Sequence, residues 1–176
     1  MIKGWIELSR EEVFKKYSWL IQKRVYRLPS EEEADYYIRT AGAGACVLAV
    51  TENNKVITVK QYRPGPDKIY NELPGGFVEI NEDPIKAGMR ELKEETGYTG
   101  EVVWSGKWQN DAYTQQDRHI LVAINCKKVS EPKLDSTEFA ELELLSVKDF
   151  IKQARSGELT DTAGAMLGLD HLGLLK

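Results

Sequence analysis

Residues 76–98 read GFVEINEDPIKAGMRELKEETGY, and this stretch decides the fold. Asp83 suits a helix N-cap and Pro84 the first helical position. Gly97 is a natural residue to end the helix in a left-handed conformation. Between them, Ile85 to Thr96 contains no further proline, and only Gly88 departs from good helix formers. Successive residues turn by about 100°, so Ile85, Met89 and Leu92 share one side. Glu91, Glu94 and Glu95 share roughly the opposite side. Glu91 and Glu95 are like charges at i,i+4, which destabilises a helix, and Arg90 with Glu94 at the same spacing offsets part of this. Lys86 and Lys93 lie off the acidic arc. A solvated acidic face is the ordinary explanation of any single glutamate here. It does not explain why Glu82, Arg90, Glu91, Glu94 and Glu95 fall together between Gly76 and Gly97. Clustered carboxylate oxygens are the ligands that hard cations such as Mg²⁺ prefer, and Mg²⁺ often completes its shell with phosphate oxygens.

Outward from this helix, the pattern is mostly strand. Trp19–Leu28, Asp35–Thr40, Ala43–Val50 and Lys55–Tyr62 read as strands after a short polar lead, with a polar hairpin turn at Thr51–Asn54. Pro64-Gly65-Pro66 is a loop, and Ile69–Leu73 is short and extended. Beyond the helix, Glu101–Gly106, Ile120–Val129 and Phe139–Leu145 read as strands, with a polar loop from Ser130 to Thr137. Val147–Arg155 and Thr162–Leu172 read as helices. One helix amid many strands, with two more at the end, suggests α+β or a sheet sandwiched by helices. At 176 residues the chain is most simply one domain. A net charge of −4 gives no bulk attraction for nucleic acid or an acidic membrane. The opening residues show no apolar h-region, which predicts no secretory leader, and no apolar run reaches the length of a membrane span. Cys46 and Cys126 sit in apolar strand-like runs and read as buried thiols of a reducing, cytoplasmic setting, with a Cys46–Cys126 disulfide as the alternative. No Cys/His cluster suggests zinc.

The stretch from Gly76 resembles the Nudix box, Gx5Ex7REUxEExGU, in which U is a bulky aliphatic residue. Gly76, Glu82, Arg90, Glu91, Leu92, Glu94, Glu95 and Gly97 each fill their slot. Average composition makes chance agreement on the order of one in a billion per window, so the match is specific. Tyr98 departs at the final U and supplies a large apolar group there. The resemblance implies an α+β fold: a mixed β-sheet sandwiched between helices (α/β/α), with the box as loop–helix–loop and an N-terminal antiparallel strand extension. It implies a single domain over residues 1–176, of which residues 1–40 form the extension. Flanking residues look like the ADP-ribose and nucleotide-sugar pyrophosphatase branch: Gln61-Tyr62-Arg63-Pro64, Glu72-Leu73-Pro74-Gly75-Gly76, and Asp161 opening the last helix. Trp19 to Thr40 resembles that branch's dimerisation segment, which implies a homodimer. The loop Trp108–Gln116 departs from the branch by lacking Pro and Gly, and this puts the sugar specificity in question.

What the resemblance implies chemically is metal-dependent hydrolysis of a nucleoside diphosphate linked to another moiety. ADP-ribose or another nucleotide sugar would give a nucleoside monophosphate and a sugar phosphate. Mg²⁺ or Mn²⁺ would be held by Glu91, Glu94, Glu95 and the carbonyl of Gly75. Glu82 would act behind them, orienting Arg90 or a bound water. Arg63 is the better phosphate contact, since a guanidinium fork suits phosphate oxygens, and Arg118 is a second. Glu138 best matches the position of a general base, with Glu131 and Asp135 as rivals. Stacking on the base would use an aromatic among Tyr17, Trp19, Tyr36 and Tyr37, or Trp108 and Tyr113 nearer the substrate loop. His171 reads as a residue near a helix C-terminus favoured by the dipole. Two rival readings stand: a nucleoside-triphosphate or dinucleotide pyrophosphohydrolase, and a non-catalytic nucleotide-sugar sensor.

Overall fold

A computed structural model of the chain describes residues 2–17, 19–134 and 139–175. In chain order the strands are β1 (Ile6–Lys16), β2 (Trp19–Arg27), β3 (Glu33–Thr40), β4 (Gly44–Thr51), β5 (Lys55–Arg63), β6 (Lys68–Glu72) and β7 (Gly75–Phe77). Helix α1 (Pro84–Thr96) follows, then β8 (Tyr98–Trp108), β9 (Thr114–Gln115), β10 (Arg118–Lys128), β11 (Ala140–Ser146), α2 (Val147–Ser156) and α3 (Thr162–His171). They divide into two compact units. One comprises Met1–Gly42 with Gln109–Asp117, the other Ala43–Trp108 with Arg118–Lys176.

The larger unit is built on a sheet ordered β11-β5-β4-β10-β8, with β6 paired to β5 and β7 to β4. β4 and β10 run parallel, with Val47 opposite Leu121, and the other pairings are antiparallel. A strand with parallel pairing and cover on both faces reads as a continuous apolar run, and GACVLAV in β4 is buried at every position. Its side chains alternate between two cores. Ala45, Val47 and Ala49 join Leu121, Ala123, Ala87 and Leu92 under α1. Cys46 and Leu48 join Ile120, Val122, Phe150, Ala165 and Leu169 under α2 and α3. The helices therefore lie on both faces of a mixed sheet, as the resemblance implies. An irregularity in β10 between Ala123 and Cys126, with Asn125 at φ 53°, resets the alternation so that Cys126 returns to the α1 side. β8 at the edge alternates strictly between half-buried and exposed, the pattern of a strand with one face in water.

The smaller unit is a sheet ordered β1-β2-β3-β9, antiparallel except for the short β3–β9 pairing. Trp5, Tyr26 and Tyr36 contact one another and Tyr113 stacks on Tyr36, with centroids 5.2 to 6.3 Å apart.

Several elements differ from the sequence reading. The polar lead is strand β1, exposed along its whole length; its order comes from the ladder with β2, which no apolar alternation announces. β8 extends past both expected ends, and β7 and β9 are too short to carry a period. Ile85, expected on the apolar side of α1, is 40% exposed. The buried side is Ala87, Gly88, Leu92 and Thr96, because the small residues let the helix sit close on the sheet. A Cβ at Gly88 would stand 2.9 Å from Leu121 Cδ2 and 3.2 Å from Val47 Cγ2. Among the described residues no helix is long and apolar enough to cross a membrane.

Candidate active site

Two caps fix the phase of the acidic helix. Asp83 Oδ1 accepts from the backbone N–H of Ile85 at 2.8 Å and of Lys86 at 3.3 Å. At the other end Gly97 turns left-handed at φ 76° and its N–H donates to Lys93 O at 2.9 Å. The register between them presents Glu91, Glu94 and Glu95 on one face, as the sequence requires.

Arg90 organises this face. Its Nε donates to Glu82 Oε1 at 3.1 Å and its Nη2 to Glu82 Oε2 at 3.2 Å. Its Nη1 donates to Glu91 Oε1 at 2.8 Å and Glu94 Oε2 at 3.1 Å, and Nη2 also reaches Phe77 O at 3.1 Å. One guanidinium thus ties the loop before the helix to the helix itself. The electrostatics follow. Hydrogen bonding to Glu82, with Glu91 and Glu94 behind it, holds the Arg90 guanidinium far above its ordinary value. Arg90 and the backbone N–H of Glu79 hold the Glu82 carboxyl below its ordinary value.

The remaining carboxylates meet the glycine turn. Glu95 Oε2 accepts from the backbone N–H of Gly75 at 2.9 Å. A Cβ on Gly76 would fall on the Glu91 carboxylate, and one on Gly75 would fall on the Ala45–Cys46 backbone of β4. Glycine at both positions lets the turn lie against a strand on one side and a carboxylate on the other. Gly75 and Gly76 also pair with Cys46 and Ala45 in register, so β4 holds the turn in place.

Among the described residues no three His, Cys, Asp or Glu side chains converge as a ready metal cage. Arg90 is the reason: it draws Glu82, Glu91 and Glu94 to itself, while Glu95 rests on Gly75. The donor set nevertheless fits a hard divalent ion. Glu91, Glu94 and Glu95 project from one helix face, all offer oxygen, and glycine leaves the backbone beside them uncovered.

Two further arginines lie in this unit. Arg63 Nε donates to Glu72 Oε2 at 2.5 Å, and its side chain is 42% exposed. Arg118 pairs through Nη2 with Asp161, and its guanidinium stands over the Trp108 ring at 5.6 Å. A Cβ at Gly44 would strike Arg118 Nη1, and one at Gly164 would strike the Trp108 ring. Trp108 is therefore wedged between Arg118 and α3. Asp161, expected to open α3, makes no capping hydrogen bond because Arg118 takes its carboxylate. His171 stacks on Trp104, with centroids 5.1 Å apart.

Trp19 and Tyr113 belong to the smaller unit. Trp19 is half exposed with the Arg39 guanidinium 3.8 Å from its ring centroid, and Tyr113 stacks on Tyr36. Glu138 and Asp135 lie outside the described residues. Glu131 is exposed and accepts from Lys128 Nζ at 2.8 and 2.9 Å. Sequence reasoning quoted Glu72 only as part of a motif and gave it no role, and it missed Thr160. Glu72 is 1% exposed and accepts from Gln61 at 2.8 Å, from Arg63 and from Thr160 Oγ1. The available signal was a carboxylate directly ahead of Leu73-Pro74-Gly75, at a strand end that feeds the turn.

Comparisons with known proteins agree with this geometry. The family described as NUDIX domain matches residues 40–162. Over 161 residues the chain is 28% identical to a Bacillus subtilis (strain 168) protein named ADP-ribose pyrophosphatase, covering 90% of this chain and 87% of that one. Over 158 residues it is 28% identical to a Bacillus methanolicus protein named methanol dehydrogenase activator, covering 88% and 85%. Its fold matches the crystal structure of an ADP compounds hydrolase with a TM-score of 0.77 at 13% identity, over 99% of both chains.

Proposed function

The chain belongs to the Nudix family of hydrolases, and from that premise we propose that it cleaves the diphosphate of a nucleotide sugar, ADP-ribose being the first substrate to test. The observation that carries the reading is the box itself: Arg90 binding Glu82, Glu91 and Glu94 beside the Gly75–Gly76 turn. The relative named ADP-ribose pyrophosphatase supports the substrate class.

Nudix hydrolases generally need a divalent metal, and in this chain Glu91, Glu94, Glu95 and the Gly75 carbonyl are the groups to hold it. When bound, Mg²⁺ or Mn²⁺ supplies charge neutralisation at the diphosphate and a water of lowered pKa. Arg63 and Arg118 bind phosphate oxygens through guanidinium N–H groups. Arg90 keeps the glutamates in register and need not touch substrate. In the reaction the water oxygen bonds to one phosphorus, and the bond from that phosphorus to the bridging oxygen breaks. The bridging oxygen leaves with the other phosphate, and the water's proton passes to a carboxylate, for which Glu138 is the proposed base. ADP-ribose plus water gives AMP and ribose 5-phosphate.

Residues 1–40 are read as a dimerisation extension of one domain spanning residues 1–176. The resemblance supports this, together with Ile6, Val13 and Phe14, which are 61, 44 and 49% exposed on β1. Trp19, Trp108 and Tyr113 are the aromatic candidates for the base. Cytoplasmic residence belongs to the same reading and is supported by two buried cysteines left free.

The test is a panel of ADP-ribose, other sugar nucleotides, dinucleoside polyphosphates and nucleoside triphosphates with Mg²⁺ or Mn²⁺, products being identified by mass. Turnover of nucleotide sugars and its loss on chelation are expected. A folded protein that turns over none of them ends the proposal. Light scattering decides the dimer: a monomer at working concentration rejects it, whereas a dimer that Phe14→Asp converts to monomer supports it.

A further inference from the structure

We infer that the turn between α2 and α3 positions the two arginines proposed to bind the diphosphate, and that Thr160 sets Arg63 through the buried carboxylate of Glu72. Thr160 and Asp161 are adjacent in sequence, and each ends on one arginine. Asp161 binds Arg118 directly. The Thr160 hydroxyl donates to Glu72 Oε1, while Glu72 Oε2 accepts from Arg63 Nε at 2.5 Å and from Gln61 Nε2 at 2.8 Å.

The division of labour within Glu72 is the telling feature. One oxygen is committed to the turn and the other to Arg63. A carboxylate with 1% exposure is costly unless it is paired and hydrogen-bonded, and here it has three donors and one counter-charge. Removing the Thr160 donor leaves a buried lone-pair face unsatisfied, which is relieved only if the carboxylate turns. Arg63 then turns with it, because Nε makes its one hydrogen bond to Glu72 among the described residues. Each arginine is gripped by one nitrogen. The terminal Nη groups of Arg63 and the Nη1 of Arg118 make no hydrogen bond among the described residues. For Arg63, 42% exposed, that is the arrangement of a guanidinium oriented from behind and open to phosphate in front, whereas Arg118 is 22% exposed with Nη1 against Gly44. Thr160 is thus a positioning residue, and its effect must pass through Arg63.

The inference rests on Arg63 being a substrate contact. It is tested with Thr160→Val and Thr160→Ser, each in the natural chain and in an Arg63→Ala background. Thr160 is exposed, so the variants are expected to fold, and thermal midpoints confirm it. Thr160→Val is expected to raise KM for ADP-ribose about tenfold with kcat within about twofold, the signature of lost binding. Thr160→Ser restores KM to within about twofold because the hydroxyl returns. In the Arg63→Ala background, Thr160→Val changes KM by less than about twofold. An unchanged KM in the natural chain, or the same rise in both backgrounds, overturns the inference. Affinity for ADP, measured by calorimetry without added metal, separates the two proposals. If ADP-ribose is not hydrolysed, the functional reading fails, yet Thr160→Val must still weaken ADP binding only where Arg63 is present. A natural chain that binds neither ligand overturns both.

Discussion

Helix α1 and strand β1 are similar in length, 13 and 11 residues, and equally charged. Lys86, Arg90, Glu91, Lys93, Glu94 and Glu95 stand in one; Glu7, Arg10, Glu11, Glu12, Lys15 and Lys16 stand in the other. In α1 the charges meet partners brought from elsewhere: Glu82, the Phe77 carbonyl and the Gly75 amide. In β1 every residue is exposed, and among the described residues its one close ion pair, Arg10 with Glu7 at 2.8 Å, lies three residues apart in sequence. Exposed local pairs contribute little to stability. The number of charges is thus the same in both, while its meaning depends on whether the partners are distant and fixed. A distant partner constrains residue type at each position; a local one constrains hardly anything.

Substitutions can break this contrast. The largest effect is expected from Glu95→Gln, which keeps the shape but removes the charge beside Gly75. Activity should fall by on the order of a hundredfold or more in steady-state assays, with an unchanged thermal midpoint. Glu12→Gln in β1 should change neither, and a comparable loss there would erase the distinction. Next comes Gly76→Ala, whose Cβ displaces the Glu91 carboxylate. Activity should drop roughly tenfold to a hundredfold, whereas Gly65→Ala, with nothing within 4 Å, should leave it intact. Third is Gly88→Ala. Alanine favours a helix by about 1 kcal/mol, but overpacking against Leu121 and Val47 costs about 1–3 kcal/mol. A net loss of about 1 kcal/mol is expected in urea unfolding, against less than about 0.5 kcal/mol for Gly4→Ala.

The smallest effect concerns pH. Arg90 lowers the folded-state pKa of Glu82 below its ordinary 4.5. The ionised pair therefore stabilises the fold above that value, and the contribution is lost as acid protonates Glu82 in the folded state. Glu82→Gln should flatten the decline of stability below about pH 4.5, measured by urea midpoints at stepped pH. An unchanged slope would mean that Arg90 does not hold Glu82 in solution.

Legibility in the sequence follows the same division. The caps Asp83 and Gly97, the acidic face of α1, and the positions of α2 and α3 are local patterns and were readable. So was the turn at Thr51–Asn54, where Asn54 takes a left-handed φ of 54°. The α/β/α layering came through the resemblance, and the pairing of Arg90 with Glu94 through i,i+4 spacing. What escaped depends on residues far apart. Ile85 is exposed and Gly88 buried because the sheet, not the helix, chooses the contact line. Glu72 meets Thr160 across 88 positions, and the motif that contains Glu72 gives no sign of that partner. β1 is ordered by hydrogen bonding to β2, which leaves no apolar period to detect.

The alternation of β4, together with the irregularity in β10, places one thiol in each core: Cys46 under α2 and α3, and Cys126 under α1. Burial pushes the Cys46 thiol well up and the Cys126 thiol up to about 11. At neutral pH both are protonated and sealed, so alkylating reagents wait for the structure to open. The two labelling rates form a pair of internal clocks, one for each face of the sheet. If the layers open together the clocks agree, and if one side loosens first, the order in which the cysteines are modified says which.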